Sequence, residues 1–145
     1  MRILISFFLF TSILWGQDLN LLRKNLEIVP ENKSVCEQMI ESIPLNTPNP
    51  VFLAYLGAYQ TIWANHVINP FSKLSTFNKG KKNLQKAVSL DGDNVEIRFL
   101  RYSIQKNAPK FLGYSDNLTE DKKFIESHRN EVKSVELNNL INKVL

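Results

Sequence analysis

The stretch from Val51 to Ile68, VFLAYLGAYQTIWANHVI, contains no acidic residue, lysine or arginine. It follows Asn49-Pro50, a favoured helix N-cap with proline at the first helical position. A helix that is apolar on nearly every side is buried rather than solvent-facing. The sequence therefore predicts a central helix around which the rest of the chain packs.

The remaining segments also show helical spacing. Asn69-Pro70 repeats the opening signal and predicts a long helix to Leu90, with these residues facing inward: Phe71, Leu74, Phe77, Leu84 and Val88. Further helix starts are predicted at Asp18, at a capping box from Ser34 to Glu37, at Asp93 to Glu96, at Thr119 and at Ser134. No segment alternates apolar and polar residues as a half-buried strand does. We predict an all-α fold, an antiparallel array of about six to seven helices.

The first sixteen residues differ from the rest of the chain. Met1-Arg2 supply a positive end, Ile3 to Leu14 form an apolar run, and Gly16 is a small residue before polar Gln17. This is the pattern of a secretory signal peptide. The alternative is an uncleaved anchor, but the run falls short of the roughly 20 apolar residues that span a bilayer. We predict a signal peptide over residues 1–16, a single domain over 17–145, and a periplasmic or secreted location without a stable membrane span.

Composition limits the chemistry available to the chain. A single cysteine, Cys36, excludes an internal disulfide, and together with two histidines it is too little for a metal site. The lysines of the long helix lack the interleaved aromatic residues of single-strand binders, so we expect no nucleic-acid partner. The sequence has no phosphate-binding glycine loop and no nucleophile elbow. We predict a protein without cofactor, metal or enzymatic activity, in which Cys36 is buried.

The stretch from Phe77 to Asn94 has the spacing of the second helix and inter-repeat turn of a tetratricopeptide repeat. Its small and apolar positions are Gly80, Leu84, Ala87, Leu90 and Asp91. Leu56-Gly57 is similar to the Leu-Gly pair of the first helix in that family. Over about residues 51–107 the chain thus resembles one divergent tetratricopeptide unit. It departs from the motif of about 34 residues in its lengthened helices, and Gly92 stands where proline is usual.

The resemblance implies a helical array that presents a surface to other proteins. In the family, extended peptides bind along a groove. The matching positions here are Val51, Ala54, Ala58 and Ile62 on one helix, and Glu96, Phe99, Ser103 and Lys106 on the next. In so small a protein, the N-terminal helices are the alternative occupant of this groove, because large exposed apolar patches are uncommon on monomers.

A second candidate surface combines a helix face with the loop that follows it. Arg98, Arg101 and Tyr102 share a helix, and Tyr114 comes from the loop. Arginines in this arrangement bind carboxylates or phosphates. Alternatively, they pair with acidic residues of the next helix, namely Asp116, Glu120 or Asp121, and hold the loop down. Our first hypothesis is an exported, non-enzymatic interaction module that contacts another envelope or secreted protein through Arg98, Arg101, Tyr102 and Tyr114.

The alternative hypothesis is a carrier of a small apolar or amphipathic molecule. Tyr55, Tyr59, Trp63 and His66 lie on the aromatic side of the uncharged helix and would line its pocket. No serine, cysteine or acid stands in an evident relation to His66, which favours a structural histidine over a catalytic base.

Export has a direct test. If residues 1–16 are a signal peptide, the natively expressed protein should lack about these residues, because signal peptidase removes such segments. Intact-mass analysis measures this directly. A full-length cytosolic species would contradict the prediction.

Overall fold

The structure is a computed structural model, and it describes residues 11–145. Within that range there are seven α-helices and no strand, which confirms the predicted all-α array. The helices are α1 (Thr11–Asn25), α2 (Lys33–Glu41), α3 (Pro50–Trp63), α4 (Pro70–Leu90), α5 (Val95–Asn107), α6 (Leu118–Ser127) and α7 (Val135–Val144). Short 3-10 turns at Ala64–His66, Lys110–Leu112 and Arg129–Glu131 lie between them.

The N-terminal prediction falls mostly beyond the described range. Of the predicted signal peptide, residues 1–10 lie outside the described residues, and residues 11–16 belong to α1. Asp18 is therefore inside a helix and not at its start, so the cap predicted there is wrong. Across residues 11–145, no helix combines the length and the apolar character needed to span a bilayer.

The two Asn-Pro signals are confirmed as helix starts. The Asn49 side chain accepts hydrogen bonds from the backbone N–H groups of Val51 and Phe52, and Asn69 does the same at the start of α4. Ser134 caps α7 through the N–H of Leu137. In each case a side-chain oxygen satisfies a backbone donor that the first turn leaves unpaired.

Two other predicted caps are displaced by neighbouring asparagines. Asn32, and not Ser34, caps α2 by accepting from the N–H of Val35 at 3.0 Å. Asn94, and not Asp93, caps α5 by accepting from the N–H of Glu96 at 3.0 Å. Both asparagines have the extended backbone of an N-cap, and Asn is as good a cap as Ser or Asp, so a second cap residue nearby takes the position.

Helix α3 occupies the centre, as its uncharged sequence predicts. Every residue from Leu53 to Thr61 is buried, and α2, α4 and α5 all pack on this helix. Helix α6 packs on α5, while α7 returns to meet α1, where Lys143 pairs with Glu27 at 2.9 Å. The chain thus forms one layered helical array around α3.

The closest approach in the core is between α3 and α4, at Gly57 and Gly80. A Cβ atom at Gly80 would lie 2.5 Å from the carbonyl oxygen of Gly57 and 2.6 Å from the backbone nitrogen of Thr61. A Cβ at Gly57 would lie 2.7 Å from the Gly80 carbonyl oxygen. Backbone atoms cannot move aside as side chains do, so only glycine fits at both positions. The predicted close crossing at Gly80 is present.

The inward-facing residues of α4 are only partly as predicted. Phe77 and Leu84 are buried and Val88 is half-buried, but Phe71 is 86% exposed and Leu74 is 47% exposed. The prediction for Phe71 and Leu74 was wrong. Helical periodicity identifies the apolar face of a helix, but it does not show how much of that face the neighbouring helices cover. The first turns of α4 lie beyond the core.

The helix crossing predicts the effect of one added methyl group. Gly80→Ala should lower the free energy of unfolding by up to about 2 kcal/mol, because overpacking against backbone costs about 1–3 kcal/mol and helix propensity returns about 1 kcal/mol. Urea unfolding measures the change. The matched control is Asn78→Ala, on the exposed side of the same helix, where only the propensity gain is expected. A Gly80→Ala protein as stable as the control would show that the two helices do not touch there.

Candidate functional site

The arginines predicted as partner contacts are held in ion pairs instead. Both oxygens of the Asp121 carboxylate accept from Arg101, from Nε and from Nη2, each at 2.7 Å. Arg98 donates through Nη1 to Asp121 at 2.9 Å and to Glu120 at 2.7 Å. Asp121 and Arg101 are buried. This is the alternative in which the arginines pair with the acidic residues of the next helix.

A hydrogen-bonded chain extends this pairing to α4 and to the loop after α5. Gln85 accepts from Arg101 Nη1 at 3.2 Å and donates to the Tyr114 hydroxyl at 3.0 Å. Gln105 and Asn117 exchange two hydrogen bonds that fix the end of the loop. We call these residues, with Arg98, Arg101, Glu120 and Asp121, the polar brace. It joins α4, α5 and α6.

The two tyrosines of the predicted contact surface are also buried. Tyr114 packs edge-on against Phe77, with ring centroids 6.0 Å apart, and Lys81 Nζ lies 4.9 Å from the Tyr114 ring centroid. Burial raises the pKa of Tyr114. Tyr102 is buried on the same helix as the arginines. With Arg101, Tyr102 and Tyr114 all buried, the structure offers little exposed surface for a partner at these four positions.

The residues predicted to line a carrier pocket do not form one cavity together. Tyr55 and Tyr59 are fully buried, and burial raises the pKa of both hydroxyls. Tyr59 donates to the backbone carbonyl of Leu22 in α1. Half-buried His66 donates through Nε2 to the Val29 carbonyl at 2.8 Å, and its ring centroid lies 5.7 Å from that of Trp63. These partners make the histidine a link between chain segments.

Helix α1 reaches Glu96, one of the positions that the tetratricopeptide resemblance assigns to a peptide groove. Its Arg23 pairs with buried Glu96 through two hydrogen bonds of 2.8 and 2.7 Å. The Tyr55 hydroxyl donates to the same carboxylate at 2.7 Å. Among the assigned groove positions, Ala54, Ala58, Phe99 and Glu96 are buried. Among these positions, Glu96 is the one that α1 contacts through a side-chain hydrogen bond in the part of the chain that the structure describes.

Cys36 is buried on α2 as expected. Its thiol points at the backbone carbonyl of Tyr59, with Sγ 3.6 Å from that oxygen, and it forms no disulfide. Burial raises its pKa to about 12, so the thiol stays protonated near neutral pH. Among the described residues, no group of three or more histidine, cysteine or acidic side chains could hold a metal ion.

The structure also contains an apolar cleft that sequence reasoning did not identify. It has a volume of about 480 Å³ and lies where the C-terminal ends of α3 and α5 meet the N-terminal turns of α4. We call it the α4 cleft. Its lining consists of Thr61, Ile62, Ala64, Asn65, Pro70, Lys73, Leu74, Phe77, Ile104, Asn107, Ala108, Pro109, Phe111 and Leu112.

Exposed apolar side chains surround the α4 cleft. Ile68 is 97% exposed, Phe71 86% and Phe111 87%, while Leu74 forms part of the wall. A group of large, highly exposed apolar residues at one place marks a binding surface more often than it arises by chance. Helix α4 has 21 residues and α5 has 13. This difference in length is the sequence signal that would have predicted uncovered apolar turns in α4.

The lining of the α4 cleft contains few polar groups, and two of them are hydrogen-bonded within their own helices. The Thr61 hydroxyl donates to the Ala58 carbonyl at 2.7 Å, and the Asn107 amide donates to the Ser103 carbonyl at 2.8 Å. Lys73 is the one charged side chain in the lining, which contains no acid, histidine or cysteine. No nucleophile and base are therefore paired in this cleft.

Comparison with known proteins gave no relative. No protein-family model matches the chain, and searches of curated proteins and of solved structures found no similar one. The functional argument therefore depends on the residues and their geometry.

The polar brace can be tested by removing one partner. Arg101→Ala leaves the Asp121 charge buried with only Arg98 to pair it, and should cost about 3–5 kcal/mol of unfolding free energy. The loop over residues 108–117 should also become easier to proteolyse. The matched control is Glu120→Ala, which removes a largely exposed partner of Arg98 and should cost about 1 kcal/mol or less. Equal stability of the two variants would show that the brace does not hold the fold.

Proposed function

We propose that this protein is an exported, non-enzymatic interaction module that binds another envelope or secreted protein in the α4 cleft. The observation that carries the proposal is the concave apolar lining beside three nearly fully exposed apolar side chains, Ile68, Phe71 and Phe111. Export is supported by the signal-peptide pattern of residues 1–16. The binding surface proposed here replaces the one around Arg98 and Arg101, since those arginines have partners within the fold.

A protein partner fits this surface better than a small molecule does. A volume of about 480 Å³ is enough for a small ligand. Such a ligand would leave Ile68 and Phe71 in water, because neither side chain lines the cleft. A protein can insert one apolar side chain into the cleft and cover the neighbouring residues as well, in the manner of a helix laid in a groove.

The tetratricopeptide-like architecture is part of the same proposal. The two positions assigned to the small residues of the repeat, Gly57 and Gly80, touch across the α3–α4 hairpin. Helix α5 packs against both members of that hairpin, as the next helix of an array would. We propose that the unit binds its partner at the end of the hairpin where α3 connects to α4, because the α4 cleft lies there.

Site-specific crosslinking tests the proposal in native cells. A photo-reactive benzoylphenylalanine in place of Phe71 should give a discrete adduct with one protein, because this side chain lies at the rim of the proposed interface. The combined substitution Leu74→Asn and Phe111→Asn should abolish the adduct while changing the unfolding free energy by no more than about 0.5 kcal/mol, since both residues are exposed.

The matched control places the same reactive residue at Lys133, at the opposite end of α4 and α5, where it shares a cavity with Asp91 and Asp93. No adduct with the same protein is expected from that position. An adduct that survives the double substitution would refute binding in the α4 cleft. A small mass increase in place of a second protein would support the carrier alternative.

A further inference from the structure

The charges of this chain are segregated along the sequence. From Ser42 to Leu90 there is no aspartate or glutamate, although the chain has 14 acidic residues in all. The same stretch carries five lysines, all on α4: Lys73, Lys79, Lys81, Lys82 and Lys86. Helix α4 is therefore purely cationic, whereas the other described helices, apart from the uncharged α3, contain both signs of charge.

The structure leaves these lysines without acidic partners. Among the ion pairs of the described residues, none involves a lysine of α4. Lys73, Lys79, Lys82 and Lys86 are exposed, while Lys81 lies over the ring of Tyr114. By contrast, Lys122 and Lys143 on other helices each lie near a glutamate. The positive potential along α4 is thus uncompensated by close contacts.

The rim of the α4 cleft has the same sign of charge. Lys73 is part of the lining, and exposed Lys110 lies between the lining residues Pro109 and Phe111. The cleft therefore has an apolar floor and a cationic rim.

We propose that the partner bound in the α4 cleft is an acidic amphipathic helix. This inference rests on the proposed function and specifies its partner. The apolar face of such a helix fills the cleft and covers Phe71, while carboxylates along its flank lie opposite Lys73 and Lys110. A helix with basic flanks would place like charges together at the rim, which disfavours it. An anionic membrane shares the charge preference, but a flat bilayer surface does not fill a concave cleft.

The charge preference can be measured without knowing the natural partner. The probe is a phage-displayed library of helical peptides with apolar residues at positions i, i+4 and i+7 and with all other positions randomised. The target is the mature protein. Peptides that also bind the Leu74→Asn, Phe111→Asn variant are removed beforehand, so that binding elsewhere on the molecule is subtracted.

Three results of the selection are distinguishable. Enriched peptides with a net negative charge on the flanks support the inference. Enriched peptides that are neutral or basic overturn it and leave the proposed function intact, because the cleft then binds helices by apolar contact alone. If no peptide separates the mature protein from its variant, the proposed function fails, and the inference fails with it.

The lysines can then be tested with the strongest peptide. Lys73→Gln combined with Lys110→Gln should weaken its binding at least several-fold at low ionic strength and should reduce the salt dependence of the dissociation constant. The matched control is Lys133→Gln, which removes an exposed lysine from the far end of the helices and should leave binding unchanged. If the unsubstituted protein, the double variant and the control bind the peptide with equal affinity, the rim lysines do not contribute to binding and that part of the inference is overturned.

A membrane is tested separately with vesicles of equal parts phosphatidylglycerol and phosphatidylcholine. We expect no stable binding of the mature protein to these vesicles. Vesicle binding that Phe71→Ser abolishes, and with which the acidic peptide does not compete, would overturn the inference in favour of a lipid surface.

Discussion

The contact of Gly57 with Gly80 determines the position of everything around α3. With no side chain at either position, the backbones of α3 and α4 approach until the carbonyl of one would collide with a Cβ on the other. Leu84 and Ala87 of α4 are consequently buried in the core. Helix α4, with 21 residues, is longer than α3 and α5, and the α4 cleft lies at its N-terminal turns.

Two buried carboxylates attach the outer helices to this centre. Glu96 holds α1 through Arg23, and Asp121 holds α6 through Arg101 and Arg98. A buried ion pair adds little net stability, but breaking one is costly because it leaves a buried charge unpaired. Each carboxylate therefore strongly disfavours arrangements in which the helix that it holds packs elsewhere and the ion pair is lost. The polar brace also reaches the α4 cleft, because Tyr114 packs on Phe77 and Phe77 lines the cleft.

The sequence predicts what is encoded locally. Asn-Pro pairs mark the starts of α3 and α4, an uncharged run marks the central helix, and Gly80 marks the close crossing. The α4 cleft could not be predicted in this way, because whether Phe71 and Leu74 are covered depends on where other helices end. For Arg98 and Arg101 the sequence left two roles open, and only the position of Asp121 in space decides between them.

The single thiol has a consequence for biogenesis. An exported chain matures among oxidants, where an accessible cysteine joins two molecules by a disulfide. Folded, Cys36 is fully buried and its raised pKa keeps it a poor nucleophile. Its protection comes from the docking of α2 and is therefore absent until that helix is in place. For the exported protein that we propose, the interval between translocation and completion of the core is when Cys36 can form a covalent dimer.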